Sequence, residues 1–266
     1  MILKADLCLV TGASSGIGEA FAVSLARRGH DLVLVARRGG ALDALAARLR
    51  SEFPVAVETL VADLADPAGV AAVEARLARG DVDLLINNAG MGSLAGFLDI
   101  DPADHAAMIA VNVTALMRLT HAAAKAMKAA GRGTIVNVAS GIAFNVMPTA
   151  AVYAGTKGFV SQFTQALAEE MADSGVTFQL LVPGLTRTNL GGAEENGLFD
   201  LFPAEMVQAP EAVAEAGLAG LELGEIVCIP RLEDYGQWEA ARDAIRAVGI
   251  DPPGNAVASR YGVKLN

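Results

Sequence analysis

Short apolar runs alternate with longer amphipathic runs along most of this chain. Most of the apolar runs lack the alternation of a strand with one solvent-exposed face. Such continuous runs are typical of parallel strands buried on both faces. Helices between such strands cross over in a right-handed sense and cover both faces of one sheet. The pattern therefore predicts an α/β fold, a doubly wound parallel sheet of about seven strands. The predicted strands are Leu7–Val10, Leu32–Ala36, Val55–Val61, Val82–Ile86, Thr134–Val138, Val176–Val182 and Ile226–Ile229.

Helical runs separate these strands, and one of them is entered at Pro67, since proline suits the first helical position. No linker divides the chain, so we expect a single domain over residues 1–266, with residues 231–266 as a C-terminal extension. The predicted helices run from the first glycine turn to Arg28, then Leu42–Leu49, Pro67–Arg79, Pro102–Lys128, Tyr153–Met171 and Pro210–Leu221, with a further one ending at Ala247.

The composition excludes several classes of protein. The chain has 266 residues, 53% of them hydrophobic and 19% charged, which is enough for a large core. A net charge of -10 and a pI of about 4.8 argue against a nucleic-acid surface. Cys8 and Cys228 lie in apolar runs and are expected to be buried hydrophobes, not a disulfide or metal site. The polar N-terminus and the lack of an apolar run near the ~18 residues that span a membrane predict a soluble cytoplasmic protein.

A glycine turn follows the first predicted strand, in the segment Thr11–Gly18. Gly12, Gly16 and Gly18 let the backbone approach a pyrophosphate, and the next helix directs free N–H groups and its positive dipole end at the anion. Glu19 stands where a P-loop needs Lys, which argues against a nucleotide-triphosphate site. The turn therefore predicts dinucleotide binding.

The same turn also satisfies the Gly-x-Ser-x-Gly pattern of a nucleophile elbow through Ser14. A hydrolase of that kind needs an acid and then a histidine after the serine. The histidines are His30, His105 and His121, one at the start of a predicted strand and two on or beside one long helix. This pattern makes the hydrolase the weaker hypothesis.

Tyr153 and Lys157 are four residues apart on a predicted helix and so share one face, with Ser140 thirteen residues upstream. A phenol titrates near ~10 and a neighbouring ammonium favours its anion. A tyrosine tuned in this way can exchange a proton with a carbonyl or alcohol oxygen. Tyr-x3-Lys alone is common in helices, but beside a dinucleotide turn it indicates redox chemistry.

Taken together, these motifs resemble the one-domain form of the short-chain dehydrogenase/reductase family, whose fold is a Rossmann sheet. The matching segments occur in family order through roughly the first 190 residues. They are Thr11–Gly18, Asp63-Leu64, Asn87–Gly90, Asn112, Ser140, Tyr153-x3-Lys157 and Pro183-Gly184. The resemblance implies an oxidoreductase that interconverts a carbonyl and a secondary alcohol by hydride transfer.

The resemblance also implies the catalytic roles. Tyr153 would be the general acid and base, and Ser140 would hydrogen-bond the reacting oxygen. Lys157 would hold the ribose hydroxyls and depress the tyrosine pKa, together with the charge of the oxidised nicotinamide. Asn112 would anchor a water that relays protons to Lys157; the alternative is a helix-interior Asn bonded to its own backbone.

Cofactor contacts carried over from the family lie after successive strands. Asp63 would accept from the adenine amino group, although a plain strand-end turn is the alternative. Asn88–Gly90 would pack the adenosine ribose, and Pro183–Thr188 would hold the carboxamide. The predicted cofactor-binding residues are Gly12, Ser14, Ser15, Gly16, Ile17, Gly18, Arg37, Arg38, Asp63, Leu64, Asn88, Ala89, Gly90, Tyr153, Lys157, Pro183, Gly184, Leu185, Thr186 and Thr188.

The cofactor is predicted to be NADP(H). A carboxylate at the end of the second strand would bind a ribose 2′-hydroxyl and repel a 2′-phosphate. That place is Ala36, followed by Arg37 and Arg38, and guanidinium is a good phosphate ligand. NADP-preferring relatives carry a basic residue where this chain has Ser15, so one of two clamps is missing.

The substrate is expected to be a small carbonyl or alcohol compound, apolar or aromatic, because the candidate pocket is mostly apolar. Its predicted residues are Ser140, Ile142, Asn145, Met147, Tyr153, Asn189 and Leu190, with Met91, Ser93 and Leu185 nearby. The glycine-rich residues 188–203 are predicted to be a substrate lid, with a static insertion as the alternative. Family resemblance implies a homodimer or homotetramer. The competing class is a dinucleotide-binding regulator or sensor without turnover.

Overall fold

A computed structural model describes residues 5–192, 197–249 and 257–263. It contains one sheet of seven strands in the order β3-β2-β1-β4-β5-β6-β7, and every strand pairs in parallel with its neighbour. The predicted doubly wound sheet is confirmed. The strands are β1 (Leu7–Thr11), β2 (Asp31–Ala36), β3 (Val57–Val61), β4 (Leu84–Asn87), β5 (Gly133–Val138), β6 (Val176–Leu181) and β7 (Val227–Cys228).

Helices cover both faces of this sheet because successive strand side chains point to opposite sides. In β1, Cys8 and Val10 join the apolar cluster under α1, α2 and α7, whereas Leu9 joins the cluster under α3, α5 and α6. The helices are α1 (Gly16–Arg27), α2 (Gly39–Glu52), α3 (Pro67–Leu77), α4 (Pro102–Ile109), α5 (Leu116–Ala130), α6 (Ala151–Glu170), α7 (Pro210–Leu223) and α8 (Tyr235–Gly249).

The strand order reverses between β1 and β4, since β2 and β3 lie on one side of β1 and β4 to β7 on the other. At such a switch point the loops after neighbouring strands separate, which leaves a crevice at the carboxyl ends of the strands. The glycine turn follows β1 and Asn88 follows β4, so both border this crevice.

One long helix differs from its prediction. Instead of a continuous α-helix over Pro102–Lys128, α4 and α5 are joined by a π-helical segment, Ala110–Ala115. A π-helical turn inserts residues into the helical ladder and is frequent at functional sites. Asn112 lies inside it, so the interruption changes the direction of a predicted catalytic side chain.

The same stretch, Pro102–Ala130, is the helix in the described residues that is long and apolar enough to cross a membrane, with a mean hydropathy of 1.2. Its apolar face is used inside the fold. Leu119, Ala123 and Met127 are buried in the cluster on one face of the sheet, which is what a core helix requires.

The chain separates into two compact units, residues 1–230 and residues 231–266. The first contains the sheet and α1 to α7, and the second contains α8, which ends near the predicted Ala247. The hypothesis of one oxidoreductase domain with a C-terminal extension stays a prediction. Cys8 and Cys228 are unpaired and buried, and burial raises the pKa of both thiols, that of Cys228 to about 12.

Candidate active site

The glycine turn is packed too closely for side chains. Gly12 and Gly16 have φ of 65° and 59°, a region that favours glycine. A β-carbon on Gly12 would lie 2.8 Å from Asn88 Nδ2, and one on Gly16 would lie 2.8 Å from Thr188 Cγ2; one on Gly18 would clash with the Gly12 carbonyl. Within the described structure, the Ser15 side chain does not cap α1. The first N–H groups of α1 are therefore available to a phosphate, which helix N-termini favour.

Thr11 ties this turn to the loop after β4. Its Oγ1 accepts from the backbone N–H groups of Asn88 and Ala89, both at 3.0 Å, and donates to the Ile86 carbonyl at 3.3 Å. Asn88 Nδ2 donates back to the Thr11 carbonyl at 3.0 Å. These bonds close the switch point between the two central strands and fix the predicted Asn88-Ala89-Gly90 segment beside the glycine turn.

Arg38 lies across the glycine turn. Its Nη2 donates to Ser14 Oγ at 3.2 Å, to Ser15 Oγ at 3.1 Å and to the Ser14 carbonyl at 3.3 Å. Arg37 and Arg38 are both exposed, directly after the buried Ala36 that ends β2. The structure thus places the Arg38 guanidinium at the glycine turn and leaves Arg37 exposed beside it, while the residue that ends β2 is Ala36 and not a carboxylate. It also brings Ser14 and Ser15 against an arginine, the opposite of what a nucleophile elbow needs.

Asp63 and Leu64 follow β3 on the same edge. Leu64 is buried, while the exposed Asp63 accepts from Ala65 N–H through Oδ1 at 2.9 Å. That bond is the turn contact expected of a strand-end Asp. A carboxylate has a second oxygen and further lone pairs, so the turn contact and a contact to an adenine amino group are compatible.

Ser140, Tyr153 and Lys157 meet at the carboxyl end of β5. Ser140 is the residue before a short 3-10 turn, Gly141–Phe144, and its Oγ accepts from Ile142 N–H at 3.4 Å. The same hydroxyl is close enough to the Tyr153 phenol to act on the pKa of that phenol. Lys157 is buried, and its Nζ donates to the Val138 carbonyl at 2.8 Å and lies 6.0 Å from the centre of the Tyr153 ring. The three predicted catalytic side chains are therefore adjacent.

The pKa of Tyr153 runs opposite to the expectation from the sequence. Burial raises the pKa of this phenol, and the neighbouring Ser140 hydroxyl opposes that rise without overcoming it. Burial also lowers the pKa of Lys157 from its ordinary 10.5 to about 8. In a dry site the charged form of each group is disfavoured. Lys157 alone therefore does not depress the tyrosine pKa, and the expected depression would have to include the charge of the oxidised nicotinamide.

Asn112 is held from the π-helical segment. Its Oδ1 accepts from Met91 N–H and its Nδ2 donates to the Met91 carbonyl, both at 2.8 Å. Nδ2 also donates to Thr156 Oγ1 at 3.0 Å. The alternative of an Asn satisfied by its own helix is wrong, because these partners belong to the loop after β4 and to α6. A β-carbon on Gly90 would lie 3.4 Å from Asn112 Oδ1 and 3.6 Å from Lys157 Nζ.

The segment after β6 closes another side of the site. The Pro183 carbonyl accepts from Gly141 N–H at 2.8 Å, and Thr186 Oγ1 donates to the Gly184 carbonyl at 3.0 Å. Thr188 places its methyl group against Gly16. The predicted carboxamide-binding segment therefore runs from Ser140's turn to the phosphate cradle.

Residues predicted for the substrate lie on two loops. Ile142, Asn145 and Met147 follow β5, where Ile142 is half-buried, Met147 is exposed and Asn145 Nδ2 donates to the Gly141 carbonyl at 2.9 Å. Asn189 and Leu190 follow β6 and are exposed. Leu190 reaches the Tyr153 side of the site: a β-carbon on Gly92 would lie 3.1 Å from Leu190 Cδ2 and 3.5 Å from Tyr153 Cε2. Gly92 leaves the space that Leu190 occupies.

Comparison with known proteins identifies the family. A family model described as short chain dehydrogenase matches residues 6–197, most of the chain. The chain is a short-chain dehydrogenase. The resemblance read from its motifs is thereby confirmed, and the enzyme belongs to a family of oxidoreductases acting on carbonyl compounds and alcohols.

Individual relatives differ in what they act on. The human very-long-chain 3-oxoacyl-CoA reductase is 29% identical over 226 residues, 84% of the enzyme and 72% of that relative. A short-chain dehydrogenase from Sphingobium yanoikuyae in complex with NADPH superposes with a TM-score of 0.89 at 41% identity, covering 96% and 99% of the two chains. A bulky-bulky ketone specific alcohol dehydrogenase from Comamonas testosteroni gives 0.86 at 34% identity, covering 96% and 98%.

The structure adds site residues that the sequence analysis missed. Gly92 accommodates Leu190, Thr11 joins the two central loops, and Thr156 joins Asn112 to α6. Thr11 and Thr156 both sit inside quoted motifs, so their positions were available from the sequence. Their contacts were not, because each partner is distant in the chain.

The lowered pKa of Lys157 predicts a pH-dependent stability. The folded enzyme binds this proton less tightly than the unfolded chain does, so the unfolded chain holds more protons between pH 8 and 10.5 and stability rises over that window. A pKa drop from 10.5 to about 8 corresponds to roughly 3 kcal/mol. Chemical denaturation of wild type and Lys157→Met should show wild type gaining up to that amount relative to the variant as pH rises through the window. A constant difference would contradict the assigned pKa.

Proposed function

We propose that the enzyme is an NADP(H)-dependent oxidoreductase that interconverts a carbonyl and a secondary alcohol, with Tyr153 as general acid and base. The observation that carries the proposal is that Ser140 and Tyr153 lie together beside the buried Lys157, next to a glycine turn that suits a phosphate. The regulator without turnover has no use for that pair. Oxidation of NADPH on a panel of apolar and aromatic ketones tests it, and inertness toward all of them would favour the regulator.

The residues present fit the cofactor. Gly12, Gly16, Gly18 and the start of α1 would hold the pyrophosphate. A β-carbon at each of these glycines would collide with neighbouring protein atoms, so the close turn that would carry the phosphates needs glycine there. Asp63, Leu64 and Asn88–Gly90 would border the adenosine, and Pro183–Thr188 the nicotinamide end. When bound, the nicotinamide supplies or accepts the hydride of the reaction.

Tyr153 and Ser140 act on the substrate oxygen. Both hydroxyls would point at one carbonyl oxygen, and Ser140 would stabilise the charge that develops there. Tyr153 donates its proton to that oxygen during reduction and takes it back during oxidation. A raised phenol pKa keeps Tyr153 protonated at neutral pH, which is the state that reduction requires.

Lys157 serves the phenol and the ribose. Its ammonium has three N–H donors, one of which is used by the Val138 carbonyl. The others would hold ribose hydroxyls. With a pKa of about 8, this amine can lose and regain a proton near neutral pH and so restore the proton of Tyr153.

Arg37 and Arg38 would bind the 2′-phosphate. Arg38 Nη2 is 3.1 Å from Ser15 Oγ, so a guanidinium lies beside the position that is basic in NADP-preferring relatives. The Sphingobium yanoikuyae relative is in complex with NADPH, which supports the same preference here. Arg38 would then supply the positive charge that the sequence lacks at Ser15 itself.

The substrate is an apolar or aromatic carbonyl compound. Phe144, Val146 and Met147, on the loop that begins at Ser140, leave much of their apolar surface exposed. So does Leu190, which shares the space around Gly92 with Tyr153. Such surface suits a ligand with apolar substituents. The Comamonas testosteroni relative, specific for bulky-bulky ketones, supports this class.

Residues 188–203 act as a lid over this substrate. Residues 193–196 lie outside the described part of the chain, but the flanking parts are placed: Leu190 lies next to Gly92, and Phe199 is buried with the Arg187 guanidinium 5.2 Å from its ring centre. A closed lid would exclude water from Ser140 and Tyr153. A static insertion remains the alternative, since Phe199 has a buried place.

Hydrogen exchange distinguishes the two. We expect backbone amides in residues 190–192 and 197–202 to exchange faster in the free enzyme than with NADP and a product analogue, because closure restricts local opening. The amides of β4 serve as an internal reference that should not change. Equal and strong protection in both states would contradict the lid and support a static insertion.

The proposed assembly is a homodimer or homotetramer in the cytoplasm. Ile109, Met117 and Phe159 are partly exposed on successive helical segments of the region α4 to α6. Exposed apolar side chains on these helices support assembly through them.

A further inference from the structure

Thr156 makes two side-chain hydrogen bonds inside the protein. It stands one residue before Lys157 in α6 and is 4% exposed. Its Oγ1 accepts from Asn112 Nδ2 at 3.0 Å and donates to the Tyr153 carbonyl at 2.8 Å. The second bond is local, as is common for threonine in a helix. The first crosses to a segment 44 positions away.

The Asn112 amide extends this link to a third segment. Its other bonds go to the backbone N–H and carbonyl of Met91, in the loop after β4. Thr156 therefore joins that loop and the π-helical segment to the helical turn that carries Tyr153. An unbroken series of hydrogen bonds runs from Met91 through Asn112 and Thr156 to the Tyr153 backbone.

We propose that Thr156 is a positioning residue, which anchors the Tyr153 turn of α6 to Asn112 and so sets the phenol relative to Ser140. The inference rests on the function proposed above. Without the hydroxyl, Asn112 Nδ2 keeps the Met91 carbonyl but loses its bond to α6, and the Tyr153 carbonyl keeps only helical partners. The helix would still form, but its first turns would be free to shift against the Ser140 loop.

Thr164 offers a matched control in the same helix. It is fully buried, its Oγ1 donates to the Val160 carbonyl at 2.7 Å and it accepts from Asn137 Nδ2 at 3.0 Å. Its chemistry is the same: one local carbonyl and one amide from another element. It lies eight positions further along α6, about two turns from Thr156, and its side-chain hydrogen bonds in the described structure go to Val160 and Asn137, neither of them a proposed catalytic residue.

The experiment compares Thr156→Val and Thr156→Ser with Thr164→Val and Thr164→Ser. The measurements are kcat and KM with a reducible ketone, the Kd for NADPH and Tm. Small displacements of a reacting group cost up to about a hundredfold, so kcat of Thr156→Val should fall roughly tenfold to a hundredfold with the NADPH Kd nearly unchanged. Thr156→Ser should recover most of kcat. Thr164→Val should lower Tm at least as much yet keep kcat near wild type.

Several results would overturn the inference: wild-type kcat in Thr156→Val, no recovery in Thr156→Ser, or an equal loss of kcat in Thr164→Val. If Thr156→Val does not fold, Thr156→Ala removes the same hydroxyl and is judged by the same criteria. Tyr153→Phe, measured alongside, separates a failure of the proposed function from a failure of the positioning role. An active Tyr153→Phe contradicts the proposed function, whereas an inactive Tyr153→Phe with a fully active Thr156→Val contradicts only the positioning role.

Discussion

Replacing Tyr153 with Phe should lower kcat by a factor of about 10² or more, the scale of a positioned general acid. The substitution removes only the phenol oxygen beside Ser140, and it leaves the glycine cradle and Lys157 in place. NADPH affinity should therefore remain nearly intact. Lys157→Ala should weaken both turnover and NADPH binding, because that amine serves the phenol and the ribose.

Steady-state kinetics with NADPH and a ketone, together with a binding titration, provide the measurement. Tyr261→Phe is the matched control, since it makes the same chemical change at an exposed side chain in residues 231–266 and should leave kcat unchanged. If Tyr153→Phe kept more than about half of wild-type activity, its role as general acid would be wrong, because acid catalysis contributes far more.

Removing both arginines after β2 should change the cofactor preference by roughly a hundredfold or more. Each lost charge-assisted contact to a 2′-phosphate is worth ~1.5 kcal/mol or more, and about 1.4 kcal/mol corresponds to a factor of ten. Arg37→Ala combined with Arg38→Ala should therefore raise the Kd for NADPH and barely alter that for NADH. Arg38 also donates hydrogen bonds to Ser14 and Ser15 in the glycine turn. If Arg38→Ala alone raises the Kd for NADH slightly, and the double variant raises it by the same amount, that rise measures how much Arg38 supports the turn.

A second adjacent pair supplies the control. Arg27 and Arg28 lie at the C-terminal end of α1, away from the glycine turn. They form ion pairs with Glu215 and Glu222. Arg27→Ala with Arg28→Ala removes the same charge from the protein, so it should affect stability but not the ratio of NADPH to NADH affinity. A wild-type enzyme that prefers NADH, or an unchanged preference in the Arg37 and Arg38 double variant, would refute the 2′-phosphate site.

The local parts of the site could be predicted from the sequence because each depends on short-range chemistry. The strand Leu7–Thr11 followed by Gly12, Gly16 and Gly18 needs only backbone geometry to indicate a phosphate cradle. Tyr153 and Lys157 share a face because a helix places positions four apart side by side. The parallel strand order then follows from buried apolar runs joined by helices.

Other parts depend on residues far apart in the chain, and only the tertiary structure decided them. The π-helical segment turns Asn112 toward Met91 and Thr156, whereas helical periodicity predicted an uninterrupted helix. The space at Gly92 for Leu190 arises where two loops meet. Neither the π-helical segment nor the space at Gly92 has a local sequence pattern from which it could be predicted.

The electrostatics show the same division. Residue types along the chain determined that a phenol and an amine would be neighbours, and they suggested that the amine's charge would lower the phenol's pKa. The structure reversed that direction, since burial raises the pKa of Tyr153 and lowers that of Lys157 to about 8. Spacing along one helix determines which groups meet, but the cost of removing charge from water depends on everything packed around them. The sequence alone thus determined the chemistry available to the site, and the fold determined the state in which its groups are held.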